Sequence, residues 1–102
     1  MNSFGLLDSD LEFLLTTFSH YHTIEEVIIF GSRAKGNYKN GSDVDLAIKS
    51  HALTYEELKT IDDGLNENSR LPYKFDLVHY EKIQTPELKE HIDRIGKILF
   101  KK

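Results

Sequence analysis

The sequence predicts an α/β (α+β) unit in which helices pack on a small mixed β-sheet. Short apolar runs of strand length, at 24–30, 43–49 and 74–80, alternate with longer amphipathic stretches. Each amphipathic stretch opens on a helix-start signal. At 102 residues the chain has the length of one domain with a modest core, so residues 1–102 are expected to fold as a single domain.

Residues 1–7 read as an irregular lead-in. Ser9 with Glu12 three residues on is a capping-box signal. Leu11, Leu14, Leu15 and Phe18 follow at helical spacing, which predicts a helix over 9–20 with a core-facing stripe. His20-Tyr21-His22 reads as a polar helix-to-strand connection, because no cysteine or third histidine stands near enough to complete a metal site. The first strand covers 24–30, with Glu25 and Glu26 near its exposed start. A short helix is expected over 33–38, with the Gly31-Ser32 turn at its N-terminus. Asn40-Gly41 is a turn signal, and 43–49 is the second strand.

Thr54-Tyr55-Glu56-Glu57 is a second capping box, and Leu58, Ile61 and Leu65 make the apolar stripe of a helix over 54–67. Asp62 and Asp63 are neighbours on that helix and point apart, so they read as a solvated face. A loop over 66–72 leads to the third strand. Thr85-Pro86 opens another helix, with Leu88, Ile92 and Ile95 as its buried stripe and Gly96 as its stop. Residues 98–100 read as a short terminal strand, a helix running on to Leu99 being the alternative. Lys101-Lys102 is a solvated end. The order is α-β-(α)-β-α-β-α-(β); periodicity does not fix the order of the strands in the sheet.

Composition narrows the function classes. Hydrophobic content of 39% and charged content of 29% are ordinary for a soluble globular protein. With no cysteine, disulfides and thiolate metal sites are excluded. No basic segment precedes an apolar core at the N-terminus, and no apolar run approaches spanning length, so a cytoplasmic location is expected. A net charge of −4 argues against broad, sequence-independent nucleic-acid binding, which works by neutralising phosphates. A single nucleotide held through metal ions remains open.

The chemistry concentrates in residues 30–46. The run Val27-Ile28-Ile29-Phe30 leads straight into Gly31-Ser32, and Asp43 opens the next strand with Asp45 two residues on. Alternation puts Asp43 and Asp45 on one face and Val44, Leu46 and Ile48 on the other, toward a core. Paired carboxylates repel one another and suit a hard divalent ion such as Mg²⁺. Gly31 and Ser32 offer backbone N–H groups and a hydroxyl to a nucleotide's phosphates. Asp76 stands among apolar neighbours in the third strand. It needs either a salt-bridge partner or a shared ion with Asp43 and Asp45; beside that pair, the shared ion is the reading taken. Two Mg²⁺ ions and a nucleoside triphosphate are then expected, with Asp43, Asp45 and Asp76 as metal ligands and catalytic groups. Gly31 and Ser32 are expected at the phosphates, where Arg33 and Lys35 add charge.

Gly31-Ser32-Arg33-Ala34-Lys35-Gly36 followed by Ser42-Asp43-Val44-Asp45-Leu46 resembles the signature of the DNA polymerase beta-like nucleotidyltransferase superfamily, and the short length resembles its minimal nucleotidyltransferase (MNT) branch. The resemblance covers nearly the whole chain. It implies transfer of a nucleoside monophosphate, AMP from ATP, to a hydroxyl with Mg²⁺. It implies Asp43, Asp45 and Asp76 as the catalytic aspartates and a HEPN-domain toxin as the partner, neutralised by adenylylation of a tyrosine. Larger relatives carry a further helical domain that grips the acceptor; residues 81–102 are too few to supply one, so a partner subunit is expected to complete the site. Two alternatives stand beside this one: a non-catalytic antitoxin that inhibits its partner by contact, and a small-molecule nucleotidyltransferase.

Overall fold

The structure, a computed structural model, describes residues 2–39 and 41–102. Met1 of the expected lead-in and Asn40 of the expected Asn40-Gly41 turn lie outside the described residues. The elements run α1 (Asp8–Ser19), β1 (Glu26–Phe30), α2 (Gly31–Lys35), β2 (Val44–Lys49), α3 (Tyr55–Asn66), β3 (Phe75–His79), a 3-10 turn (Tyr80–Lys82), α4 (Pro86–Ile95) and β4 (Lys97–Lys101). The terminal segment is therefore a strand, and the alternative of a helix running to Leu99 does not occur.

The strands lie in the order β3-β2-β1-β4. β1 is antiparallel to both β2 and β4. β2 and β3 run parallel and are joined by α3 as a crossover. Helices cover both faces of this mixed sheet. On one face Val27, Ile29, Val44, Leu46, Ile48 and Phe75 meet Leu14 and Phe18 of α1 and Ile61 and Leu65 of α3. Fully burying a side chain such as Phe18 is worth roughly 1.5–3 kcal/mol. The other face is smaller: Ile28, Phe30 and Ala47 against Ile92 of α4. Among the described residues no helix is long and apolar enough to cross a membrane.

Helix starts divide by the position of the capping residue. At α3 the expected box forms in full: Glu57 N–H donates to Thr54 Oγ1 at 3.1 Å and Thr54 N–H to Glu57 Oε1 at 3.0 Å, a cap worth about 1 kcal/mol. At α1 it does not form. The helix begins at Asp8, which places Ser9 inside the first turn, and Leu7 at the cap offers no side-chain acceptor. At α4 Thr85 is the cap residue without a side-chain bond, and Pro86 opens the helix. Gly96 ends α4 as expected but in extended backbone, φ −61° and ψ 148°. Glycine is required there for space, since a Cβ would strike Ile92 O and Ile28 Cγ2.

Candidate active site

β1 delivers the chain to Gly31, and the sharp change from extended strand to helix falls on that residue. Gly31 has φ +72°, a left-handed value that side chains resist. A Cβ on it would also run into Asp45 Oδ2. The glycine thus lets the β1–α2 turn close against the Asp45 carboxylate. α2 starts at Gly31 rather than at Arg33 as the spacing suggested, so Gly31 and Ser32 supply the first N–H groups of the helix, which lack intrahelical acceptors. Ser32 is half-buried, and Lys35 closes the helix exposed to solvent.

The three aspartates lie at the same end of two adjacent parallel strands, Asp43 one residue ahead of β2. Asp45 pairs in register with Phe30 of β1 on one side and with Asp76 of β3 on the other. Because β2 and β3 are parallel, registered partners share a face: Val44 and Phe75 both turn to the larger core, so Asp45 and Asp76 both turn to the opposite face. Asp43 lies one residue before β2, exposed, as Asp76 is. Asp45 is half-buried and its carboxyl is pushed above the usual carboxylate range. Burial is the larger cause, followed by the charges of Asp76 and then Asp43. Among the described residues no three Asp, Glu or His side chains stand close enough in this arrangement to hold one ion. Their chemistry nonetheless fits Mg²⁺: all donors are hard carboxylate oxygens, and the like charges raising Asp45 are the repulsion a divalent ion removes.

Arg33 departs from its expected place at the phosphates. It is only 2% exposed. Its Nη1 donates to Phe4 O at 2.8 Å, while Nη2 and Nε donate to Ser42 O at 2.9 and 3.2 Å. The guanidinium stacks between Tyr38 and Tyr73, 5.2 and 5.1 Å from their ring centres. With three donors turned inward to carbonyls and both flanks covered by rings, it tethers the segment that leads into Asp43 and presents no charge to a ligand. The sequence spacing could not separate these roles, because the acceptors lie nine and 29 residues away.

One residue near the carboxylates escaped the sequence reading. His91 of α4 stands edge-on to Phe30 with ring centres 6.0 Å apart and pulls the Asp45 pKa down against the three raising causes. The signal was present: His91 sits three residues after Leu88 and one before Ile92, inside the stripe that faces the sheet. α4 is held over the sheet by Tyr80, whose hydroxyl donates to Asp93 Oδ1 at 2.6 Å; that carboxylate pushes the phenol up to about 12.

A Gly-Ser turn packed on a carboxylate, with further aspartates from neighbouring strands of a mixed sheet, defines a nucleotidyltransferase-type domain. The chain belongs to the polymerase beta nucleotidyltransferase family, whose model matches residues 12–102. Solved structures share the fold at low identity. A crystal structure of a toxin-antitoxin with AMP-PNP has TM-score 0.72 and 22% identity, covering 94% of this chain and 75% of that one. A mutant of the toxin-antitoxin MntA-HpeT has TM-score 0.69 and 19% identity, covering 95% and 75%. A second mutant of that pair has TM-score 0.65 and 20% identity, covering 94% and 74%. Among curated proteins none matches.

Proposed function

We propose that this chain is an MNT antitoxin that transfers AMP from ATP to a tyrosine hydroxyl of a HEPN-domain toxin. The observation that carries the reading is the registered pair Asp45–Asp76 on one face, with Gly31 closed against Asp45. Support for the partner is that the similar structures above are described as toxin-antitoxins, and one of them contains AMP-PNP.

In the transfer, the acceptor oxygen forms a bond to the α-phosphorus of ATP, the bond from that phosphorus to the bridging oxygen breaks, and pyrophosphate leaves. Asp76, the more exposed of the strand carboxylates, accepts the hydroxyl proton or orients the hydroxyl. Backbone N–H groups at Gly31 and Ser32 bind phosphate oxygens. Asp43, Asp45 and Asp76 would hold two Mg²⁺ ions, which when bound neutralise charge on the phosphates and lower the pKa of the attacking hydroxyl. Lys35, exposed at the end of α2, adds charge nearby. Arg33 acts indirectly, by fixing the approach to Asp43.

One observation favours a second reading. The described carboxylates do not converge on a shared ion in this arrangement, and inhibition by contact would need no such convergence. A single experiment separates the two. The protein is incubated with Mg²⁺, ATP labelled at the α-phosphate and the product of the adjacent gene, and the incubation is repeated with Asp43→Asn and Asp45→Asn. Label on a tyrosine of the partner that both substitutions abolish supports transfer. Neutralised partner without label, indifferent to both substitutions, overturns it in favour of contact.

A further inference from the structure

β3 is an edge strand, and its outer side is only partly closed. The backbone N–H and C=O of Phe75 face outward and are taken by one side chain. Asn66 Oδ1 accepts from Phe75 N–H at 2.8 Å, and Asn66 Nδ2 donates to Phe75 O at 2.9 Å. Asn66, the last residue of α3, thus stands in for a strand at a single position. Alternation turns the same groups of Leu77 and His79 outward too, and among the described residues no strand lies beyond them. The opposite edge differs. β4 carries Lys97 and Lys101 and meets β1 across a register shift, devices that keep an edge from pairing. β3 has no lysine between Phe75 and His79.

A row of three hollows, successive ones sharing lining residues, follows this open edge. It begins in a hollow of about 440 Å³ beside Asp76, Lys74 and Asp62. It continues through about 140 Å³ beside Leu77, which shares Asp62 with the first hollow. It ends in a cleft of about 450 Å³ that shares Tyr55 and Leu58 with the second. The lining changes along the way, from carboxylates near Asp76 to Val78, Ile83 and Leu88 in the last cleft, where Lys82 contributes charge and no carboxylate does.

We propose that this edge is the docking track of the acceptor protein: an extended segment of it adds to β3 at Leu77 and His79 and presents its hydroxyl to Asp76. The inference rests on the reading above that the acceptor is a protein. Backbone pairing supplies affinity in such strand addition, and pockets for alternate side chains supply specificity. Asp76 and Val78 are two residues apart on one face, so the added segment sets side chains two apart beside them. It therefore carries the hydroxyl at one position and an apolar side chain two positions away, seated in the cleft on Val78, Ile83 and Leu88.

The test uses the full chain, Mg²⁺, α-labelled ATP and the adjacent-gene product. Gln84→Trp fills the cleft from an exposed position, and Tyr55→Ala removes its rim. Each is expected to raise the acceptor KM by about tenfold, as loss of one buried anchor does, with kcat at saturating acceptor and the KM for ATP unchanged. Forming the complex slows hydrogen exchange at the Leu77 and His79 amides and leaves Phe75, already bonded, as it was. Truncating the acceptor residue two positions from the labelled one raises KM in the same way. Undiminished labelling with the filled cleft and unchanged exchange at Leu77 and His79 overturn the track while leaving the transfer reading intact. Wild type that labels no protein overturns both.

Discussion

Beyond the far end of β2, Ser50 is fully buried with its polar atoms paired, whereas at the near end Asp45 carries the like charges of Asp76 and Asp43 beside it. Ser50 Oγ donates to Thr23 O and accepts from Ala52 N–H at 3.1 Å and Leu53 N–H at 2.9 Å. Its N–H donates to Glu81 Oε1 at 2.9 Å, and its carbonyl lies 2.7 Å from His79 Nε2, which donates in the Nε2–H tautomer. The same strand therefore ends with the groups of Ser50 satisfied, beside a buried Thr23 Oγ1 without a hydrogen-bond partner among the described residues, and begins among like charges. A satisfied buried network lowers the energy of the fold. Carboxylates without a counter-ion raise it, and proteins keep such clusters where a ligand supplies the missing charge. The contrast teaches where this chain holds stability in reserve for binding.

The largest way to break the comparison is Gly31→Ala. Its Cβ meets Asp45 Oδ2 and its backbone must hold φ +72°. Transfer is expected to fall by about 10²-fold, the cost of a misplacement of about an ångström at a reacting centre. Initial rates of label transfer by protein shown to be folded by circular dichroism check it.

At the other end Ser50→Ala removes a hydroxyl with three backbone partners. It should cost about 1–3 kcal/mol of stability, the penalty of leaving buried groups unpaired, while transfer per folded molecule stays at the wild-type rate. Urea unfolding and active-site titration separate the two effects.

The smallest effect sharpens the contrast. Asp45 has a folded pKa raised above 3.8, so ionising it costs folding energy. The stability it allows is fully present below the unfolded pKa and is lost as pH rises through the raised folded value. Metal-free Asp45→Asn should therefore be more stable than wild type at neutral pH, by no more than about 1 kcal/mol once solvent screening is allowed for. The difference should vanish as pH falls toward the unfolded pKa. Mg²⁺ should raise the wild-type melting temperature more than that of the variant. Thermal melts across pH, with and without Mg²⁺, would reverse this account if the substitution destabilised the metal-free protein.

Much of this was legible in one dimension because local rules set it. The capping box Thr54–Glu57 needs only its own turn, and the alternation in 44–48 sends Val44, Leu46 and Ile48 to one face in any sheet that buries them. The misreadings share a cause. Ser9 failed as a cap because the helix began one residue earlier, under contacts of its first turn with distant groups: Asp10 accepts from Tyr73 Oη at 2.8 Å, and Tyr73 Oη accepts from Leu7 N–H. Arg33 looked like a phosphate ligand because its neighbours in sequence do, yet its partners are brought by folding. His91 went unnoticed in the sequence because its ring partner, Phe30, is brought to it only by folding.

By itself the sequence determined the succession of helices and strands and the glycine that must sit between Phe30 and Ser32, because periodicity and caps act within a few residues. It also determined that Asp45 and Asp76 stand near the starts of strands, with Asp43 just ahead of the first of them. Only the tertiary structure decided that β3 lies parallel beside β2, which turns Asp76 to the face of Asp45, and that Arg33 faces inward. Strand order and long-range pairing depend on closing loops of tens of residues, whose cost and reward are set by the whole packed chain rather than by any segment of it.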